Sequence, residues 1–148
     1  MKPLIDRIRE EHTRHRALAE QLLETSGDSD ERRELWRAFR KEVEAHADAE
    51  EQTIYAALIA KPDSQDRSQH SIAEHRAIHK LMRALDDKDF SSPGWLSTAR
   101  EMVDKLGHHM DEEEAHVFPL LLEQLSAEER ADVAERFGDR KIAELQNA

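Results

Sequence analysis

A chain of 148 residues is the length of one domain, and 33 Asp and Glu against 22 Lys and Arg leave a net charge of −11, which repels nucleic acid and anionic membrane alike. Four glycines and four prolines are too few for the many turns of a strand-rich fold. The lack of cysteine excludes disulfides, thiolate-held metals and a cysteine nucleophile.

The opening residues MKPLIDRIREEH become charged too soon for a signal peptide. No apolar run approaches the roughly 18 residues of a membrane span, so a cytoplasmic protein with no membrane partner is expected. The first predicted helix runs to the turn-forming stretch SGDSD at 26–30, with a buried seam of Ile5, Ile8, His12, His15, Ala19 and Leu22 at spacings of three and four. The second, ending at KPDSQD (61–66), has the seam Trp36, Phe39, Val43, His46, Glu50 and Ala57. In the third the seam is Ile72, His75, His79, Met82 and Leu85, up to DDKDFSSPG at 86–94. The fourth opens on Ser92 and Pro93 as N-cap and first helical residue and continues through Ala99, Met102, Leu106, His109, Glu113 and Leu120, with a kink expected at Pro119. Ser126 with Glu129 forms a capping box for a last, short helix, in which Gly138 offers a C-terminal stop. The expected fold is all-α: a single domain over 1–148, with an up-down-up-down antiparallel four-helix bundle at about 3–125 and a C-terminal helix at about 127–146.

Polar residues thus fall mid-helix on the buried stripe of all four bundle helices, where an unpartnered carboxylate costs several kcal/mol. The chain also repeats itself, because His12, His46 and Glu50 recur 63 residues later as His75, His109 and Glu113. HADAEEQTIYAAL (46–58) aligns with HMDEEEAHVFPLL (109–121), and Glu11-His12 with Glu74-His75. Residues four apart on a helix differ by only about 40° in direction, so His46/Glu50, His75/His79 and His109/Glu113 each point one way. Five imidazoles and two carboxylates suit iron, manganese or zinc, and two carboxylates can bridge a pair of ions. One metal would take His75, His79 and His109, the other only His12 and His46, with Glu50 and Glu113 shared. The second metal is then one ligand short, since Arg16 stands where His79 has its counterpart, and that open position would take dioxygen, peroxide or nitric oxide. Tyr55 lies about 180° round the helix from His46 and is not expected to ligate unless the helix is distorted. His15, one turn from His12 on the seam, is an eighth ligand or an outer-shell hydrogen-bonder; His116 falls to the rim or outer shell, His70 and His108 to the surface, and Asp111, Glu112 and Glu114 to a solvated acidic face.

This arrangement resembles the hemerythrin family, in particular bacterial hemerythrin-like proteins of the HHE cation-binding type. The resemblance spans about residues 5–122 and rests on the lone His12, the H-x-x-x-E of His46 and Glu50, the H-x-x-x-H of His75 and His79, and His109 followed by Glu113. It implies a non-heme, oxygen-bridged centre of two iron ions. Oxygen-carrying hemerythrins have aspartate five residues after the fourth-helix histidine, where this chain has Glu114. Five residues turn the helix by about 140°, so helical phase favours Glu113. Relatives with glutamate at the fourth place are sensors, iron handlers or peroxide-reactive proteins. The ferritin-like E-x-x-H pattern occurs only once, at Glu113 and His116, and no H-E-x-x-H is present. The expected function is therefore binding or sensing of dioxygen or a related small ligand, with weak peroxidase- or catalase-like turnover, or iron handling, as the alternatives.

Overall fold

Along every bundle helix the polar seam residues lie between apolar ones, and this pattern layers the interior of the computed structural model, which describes residues 2–148. Helix α1 is Leu4–Leu23. Helix α2 runs Asp30–Glu50, passes through a π turn at Glu51–Tyr55 and ends with Ala56–Ile59. A short 3-10 turn, Pro62–Ser64, leads into α3, Gln65–Asp86. Helix α4 runs Pro93–Glu112, has its own π turn at Glu113–Val117 and continues as Phe118–Gln124. Helix α5 is Ala127–Asn147. No strand occurs among the described residues, and α1–α4 form the antiparallel up-down-up-down bundle.

Local chemistry starts the helices where the sequence suggests. Ser29 accepts from the Arg32 N–H at the head of α2, with Asp30 and Glu31 in the first turn facing the positive end of the helix dipole. Ser92 accepts from the Gly94 N–H with Pro93 behind it, and Ser126 and Glu129 close a full capping box. Buried Arg32 ties the two loops at that end together, donating to Thr25 O and Oγ1 and to Phe90 O while lying over the Trp95 ring.

Two apolar cores result. One holds Leu22, Trp36, Phe39, Met82, Leu85, Trp95 and Met102, the other Ile8, Ile54, Leu58, Val117, Leu121 and Phe137. The histidines and glutamates of the four seams fill the band between them. Helix α5 packs mainly on α2, with further contacts to α1, outside the four-helix barrel.

Three local expectations are corrected. Gly138 does not stop α5, which continues to Asn147; a Cβ there would come within 2.8 Å of Arg7 Nη1, so the glycine permits close packing on α1. The seam positions expected at Ala57 and Leu120 fall to Leu58 and Leu121, both fully buried, because each π turn inserts one residue and advances the buried face by one. The distortion expected at Pro119 is the π turn just before it, and α2 has the same turn with Ala56 in the corresponding place. Proline is thus compatible with the distortion and is not its sole cause.

Phe137 is the residue by which α5 holds to the bundle: it is fully buried, edge-on to His46 and under the Arg7 guanidinium. Phe137→Ala should lower stability by about 3–5 kcal/mol, read as a lower denaturant midpoint at an unchanged slope. Ile142→Ala, at a position on the same helix that is 56% exposed, should change it by no more than about 0.5 kcal/mol.

Candidate metal centre

Each bundle helix contributes one histidine to the polar band, and α2 and α4 add a carboxylate one turn further on. Glu50 is 0% exposed and Glu113 2%. His12 Nε2 lies 3.0 Å from Glu113 Oε1, His46 Nε2 3.2 Å from Glu50 Oε1, His75 Nε2 3.4 Å from Glu50 Oε1 and His109 Nε2 3.5 Å from Glu113 Oε2. Two groups of donors emerge, His12/His46/Glu50/Glu113 and His75/His109/Glu50/Glu113, each with its ligating atoms within 4.8 Å of one another. Both glutamates belong to both groups.

The donor chemistry fits a pair of cations. Both Glu50 oxygens lack a hydrogen-bond partner, although the residue is wholly buried. The Nε2 atoms of His75 and His109 face each other at 2.9 Å. Orphaned buried acceptors among converging imidazole nitrogens are the signature of a site completed by metal, and a set of nitrogen and oxygen donors suits a divalent transition metal.

Every inward imidazole is held from behind by a carboxylate. His46 Nδ1 donates to Glu11 at 2.8 Å and His109 Nδ1 to Glu74 at 2.9 Å. His12 Nδ1 donates to Glu114 at 2.9 Å and His75 Nδ1 to Glu51 at 3.3 Å. These acceptors keep a proton on Nδ1, so each ring, once neutral, presents its Nε2 lone pair inward, the tautomer a metal needs. Helical phase correctly places Glu114 off the ligand seam, yet it supports His12 and is no solvated bystander. The signal lay in the 63-residue repeat, which relates Glu11 to Glu74 and Glu51 to Glu114 just as it relates the histidines they hold.

Burial alone would lower the His46 pKa, but Glu50 and Glu11 carry it up to about 10. His109 is likewise lowered by burial and raised to about 10 by Glu113 and Glu74. Burial would raise Glu113, and the bonds from His109 and His12 instead hold it well below the usual carboxylate range. The metal-free band is therefore a cage of imidazolium and carboxylate charges.

Tyr55 meets the one condition under which it could face the site, a distorted helix. The π turn holds an extra residue and sets the following side chains back by about 100°, so Tyr55 is fully buried and its hydroxyl donates to Glu113 Oε2. Its ring lies against His75, and its repeat partner Phe118 stacks on His12. His79 stands apart from the six converging donors: its side chain is 45% exposed and Nδ1 lies 3.1 Å from Glu44. His116 is exposed, and Arg16 pairs with Asp111 and Glu114. His15 is buried with Nε2 unpartnered, 3.6 Å from Glu42, and burial lowers its pKa to about 4, so it is neutral. A cavity of about 260 Å³ adjoins the centre, lined by His15, His79, Val43, Ile78, Met82 and Leu106 besides the four inward histidines.

The hemerythrin HHE cation-binding domain matches residues 4–140 of this chain. A solved hemerythrin HHE cation-binding-domain protein from Mycobacterium kansasii shares the fold with a TM-score of 0.87 at 24% identity, over 99% of this chain and 90% of that one. The chain is 26% identical over 132 residues to a DNA nickase of Nostoc sp., covering 89% of this chain and 37% of that protein. It is 23% identical over 119 residues to an uncharacterized hemerythrin-like protein of Schizosaccharomyces pombe, covering 79% of this chain and 59% of that one. The chain thus spans less than two thirds of the length of either curated relative. With the family match extending over almost the whole bundle and two His/Glu groups at its centre, the chain belongs to the hemerythrin HHE cation-binding family.

Proposed function

We propose that the protein holds two iron ions between His12/His46 and His75/His109, bridged by Glu50 and Glu113, and binds or senses dioxygen or a related small ligand such as nitric oxide or peroxide. The observation that carries this reading is the sharing of both buried glutamates by the two donor groups, beside a cavity of about 260 Å³. When bound, the irons would supply the electrons and the vacant position that such ligands need. His79, one turn beyond His75 on the cavity wall, would supply a third imidazole to that set only if it left Glu44, and the vacancy would then fall on the His12/His46 side. Val43, Ile78, Met82 and Leu106 give the cavity an apolar side next to the imidazoles, while Glu44, Asp48, Glu51 and Arg76 line the rest of it.

A second reading, turnover of peroxide, draws on two groups that can hold a proton beside the site: the Tyr55 hydroxyl on Glu113 and the neutral His15 on the cavity wall. The net charge of −11 argues against DNA as a partner in spite of the nickase relative. No described helix is long and apolar enough to cross a membrane.

Loading the site exchanges protons for metal. Glu50 and Glu113 hold His46 and His109 protonated at neutral pH, and both imidazoles must be neutral to ligate. Metal uptake at pH 7 should therefore release about two protons, measurable with a pH indicator in weakly buffered solution. Between about pH 6.5 and 10 the metal-free native state holds protons that the unfolded chain has lost, so its stability should fall as pH rises through that window. The loaded protein should show little of this slope in thermal unfolding over the same range.

Iron content separates the ligands from their supports. Glu50→Ala or Glu113→Ala should take iron from about two per chain to below one, whereas Glu114→Ala or Glu74→Ala should keep the site and weaken it by roughly 10–100-fold. The function itself is tested by mixing the anaerobic diferrous protein with dioxygen, and then with peroxide, in a stopped-flow spectrometer. A reversible new absorption band is the expected result. Fast irreversible oxidation with sustained peroxide consumption would establish the enzyme reading, and an unchanged ferrous spectrum would leave an iron-holding protein.

A further inference from the structure

The two halves of the centre match in their inner and outer carboxylates but differ in what lies beyond. Behind Glu11 stands Lys141 of α5, 5% exposed, with Nζ at 2.6 Å from Glu11 Oε1 and 2.8 Å from Glu42 Oε1. Its repeat counterpart Glu74 lies on the hairpin that α5 leaves uncovered, and among the described residues no lysine or arginine pairs with it. Histidines take that place: His70 Nε2 is 3.4 Å from Glu74 Oε2 and 3.2 Å from Glu112 Oε2, and His108 Nε2 is 3.0 Å from Glu112 Oε1. The one guanidinium nearby, Arg67, reaches Glu112 only at 3.5 Å.

We propose that His70, Glu74, His108 and Glu112 form an outer site for one divalent transition-metal ion, on the surface of the α3–α4 hairpin and separate from the paired centre. Two His-x-x-x-Glu turns, 70–74 on α3 and 108–112 on α4, lie side by side on antiparallel helices, and Glu112 links them, with Oε2 facing His70 and Oε1 facing His108. His70, Glu74 and Glu112 already bring ligating atoms within 4.8 Å of one another. Two nitrogens and two carboxylates select zinc, cobalt, manganese or ferrous ions over magnesium and calcium, which prefer all-oxygen shells. The site belongs to one half of the repeat. The positions 63 residues earlier are Arg7, Glu11, Ala45 and Ala49, which supply one carboxylate and no imidazole, and α5 covers that face.

Glu74 joins the two sites. Its Oε1 accepts from His109 Nδ1 while Oε2 faces His70, so a cation in the outer site would sit behind His109 as Lys141 sits behind His46. Glu74 alone of the outer donors touches an inner histidine; His70, His108 and Glu112 pair with one another, with Glu74 and with Arg67, so the proposal stands apart from the di-iron reading.

The test is equilibrium dialysis of the full, iron-loaded chain against cobalt(II), with iron and cobalt both counted by emission spectroscopy. About one cobalt per chain should bind without loss of iron, and His70→Ala or His108→Ala should weaken it by roughly tenfold or more. The double variant should bind no cobalt and keep its iron; both residues are exposed, so the fold is not at stake. Cobalt that only replaces iron, or that persists in the double variant, would overturn the proposal. A chain that takes up no iron at all but one cobalt, lost in the double variant, would overturn the di-iron reading and leave the outer site standing.

Discussion

Two carboxylates wholly removed from water within one narrow band set the terms for the rest of the molecule. Buried carboxylates are tolerated there only beside positive charge, and imidazoles from four helices converge on Glu50 and Glu113, with His46 and His109 held protonated in the absence of metal. Each of those imidazoles needs its own acceptor to fix its orientation, which draws in Glu11, Glu51, Glu74 and Glu114. The acceptors in turn need partners: Lys141 on one side, Arg16 above Glu114, His70 beside Glu74. Negative charge at the centre thus propagates outward as alternating layers of opposite sign until it reaches water.

The apolar residues follow from the same constraint. A polar band cannot be the only packing in a bundle, so each helix carries hydrophobic side chains on both sides of its ligands, and two separate cores clamp the centre from either end. The cavity opens toward the core that contains Met82 and Leu106. The opposite core is sealed by Phe137, which brings α5 against His46 and aligns Lys141 with Glu11. Helix α5 is therefore part of the electrostatic frame of the site as well as a cover for the bundle.

Much of this was legible in the sequence. Spacings of three and four gave four seams, and the turn residues at Gly27, Pro62 and Pro93 separated them in the right places. Six of the seven expected ligands, His12, His46, Glu50, His75, His109 and Glu113, come together in two groups. His79 shares the phase of His75, but phase fixes only the direction of a side chain; at the cavity rim Glu44 is its nearest charged neighbour. Tyr55 was out of reach for another reason: a helical wheel assumes an uninterrupted α-helix, and the turn that brings the phenol inward is not one. The outer carboxylates were in principle readable, since the repeat carries them with the histidines, but a glutamate beside a buried histidine looks like any other surface glutamate until the ring it faces is known.

The π turns have a further consequence. His46 and His109 lie before them, Leu58 and Leu121 after them, and both pairs are separated by the same 63 residues. A residue inserted into one half alone would have changed that offset across the turn. The two halves therefore carry the irregular turn at the same place in the repeat, as doubling of one hairpin that already had it would leave them. Tyr55 and Phe118 then hold equivalent places in the two halves, yet only the first carries a hydroxyl, so the repeat delivers a proton donor to Glu113 on one side and a bare ring against His12 on the other.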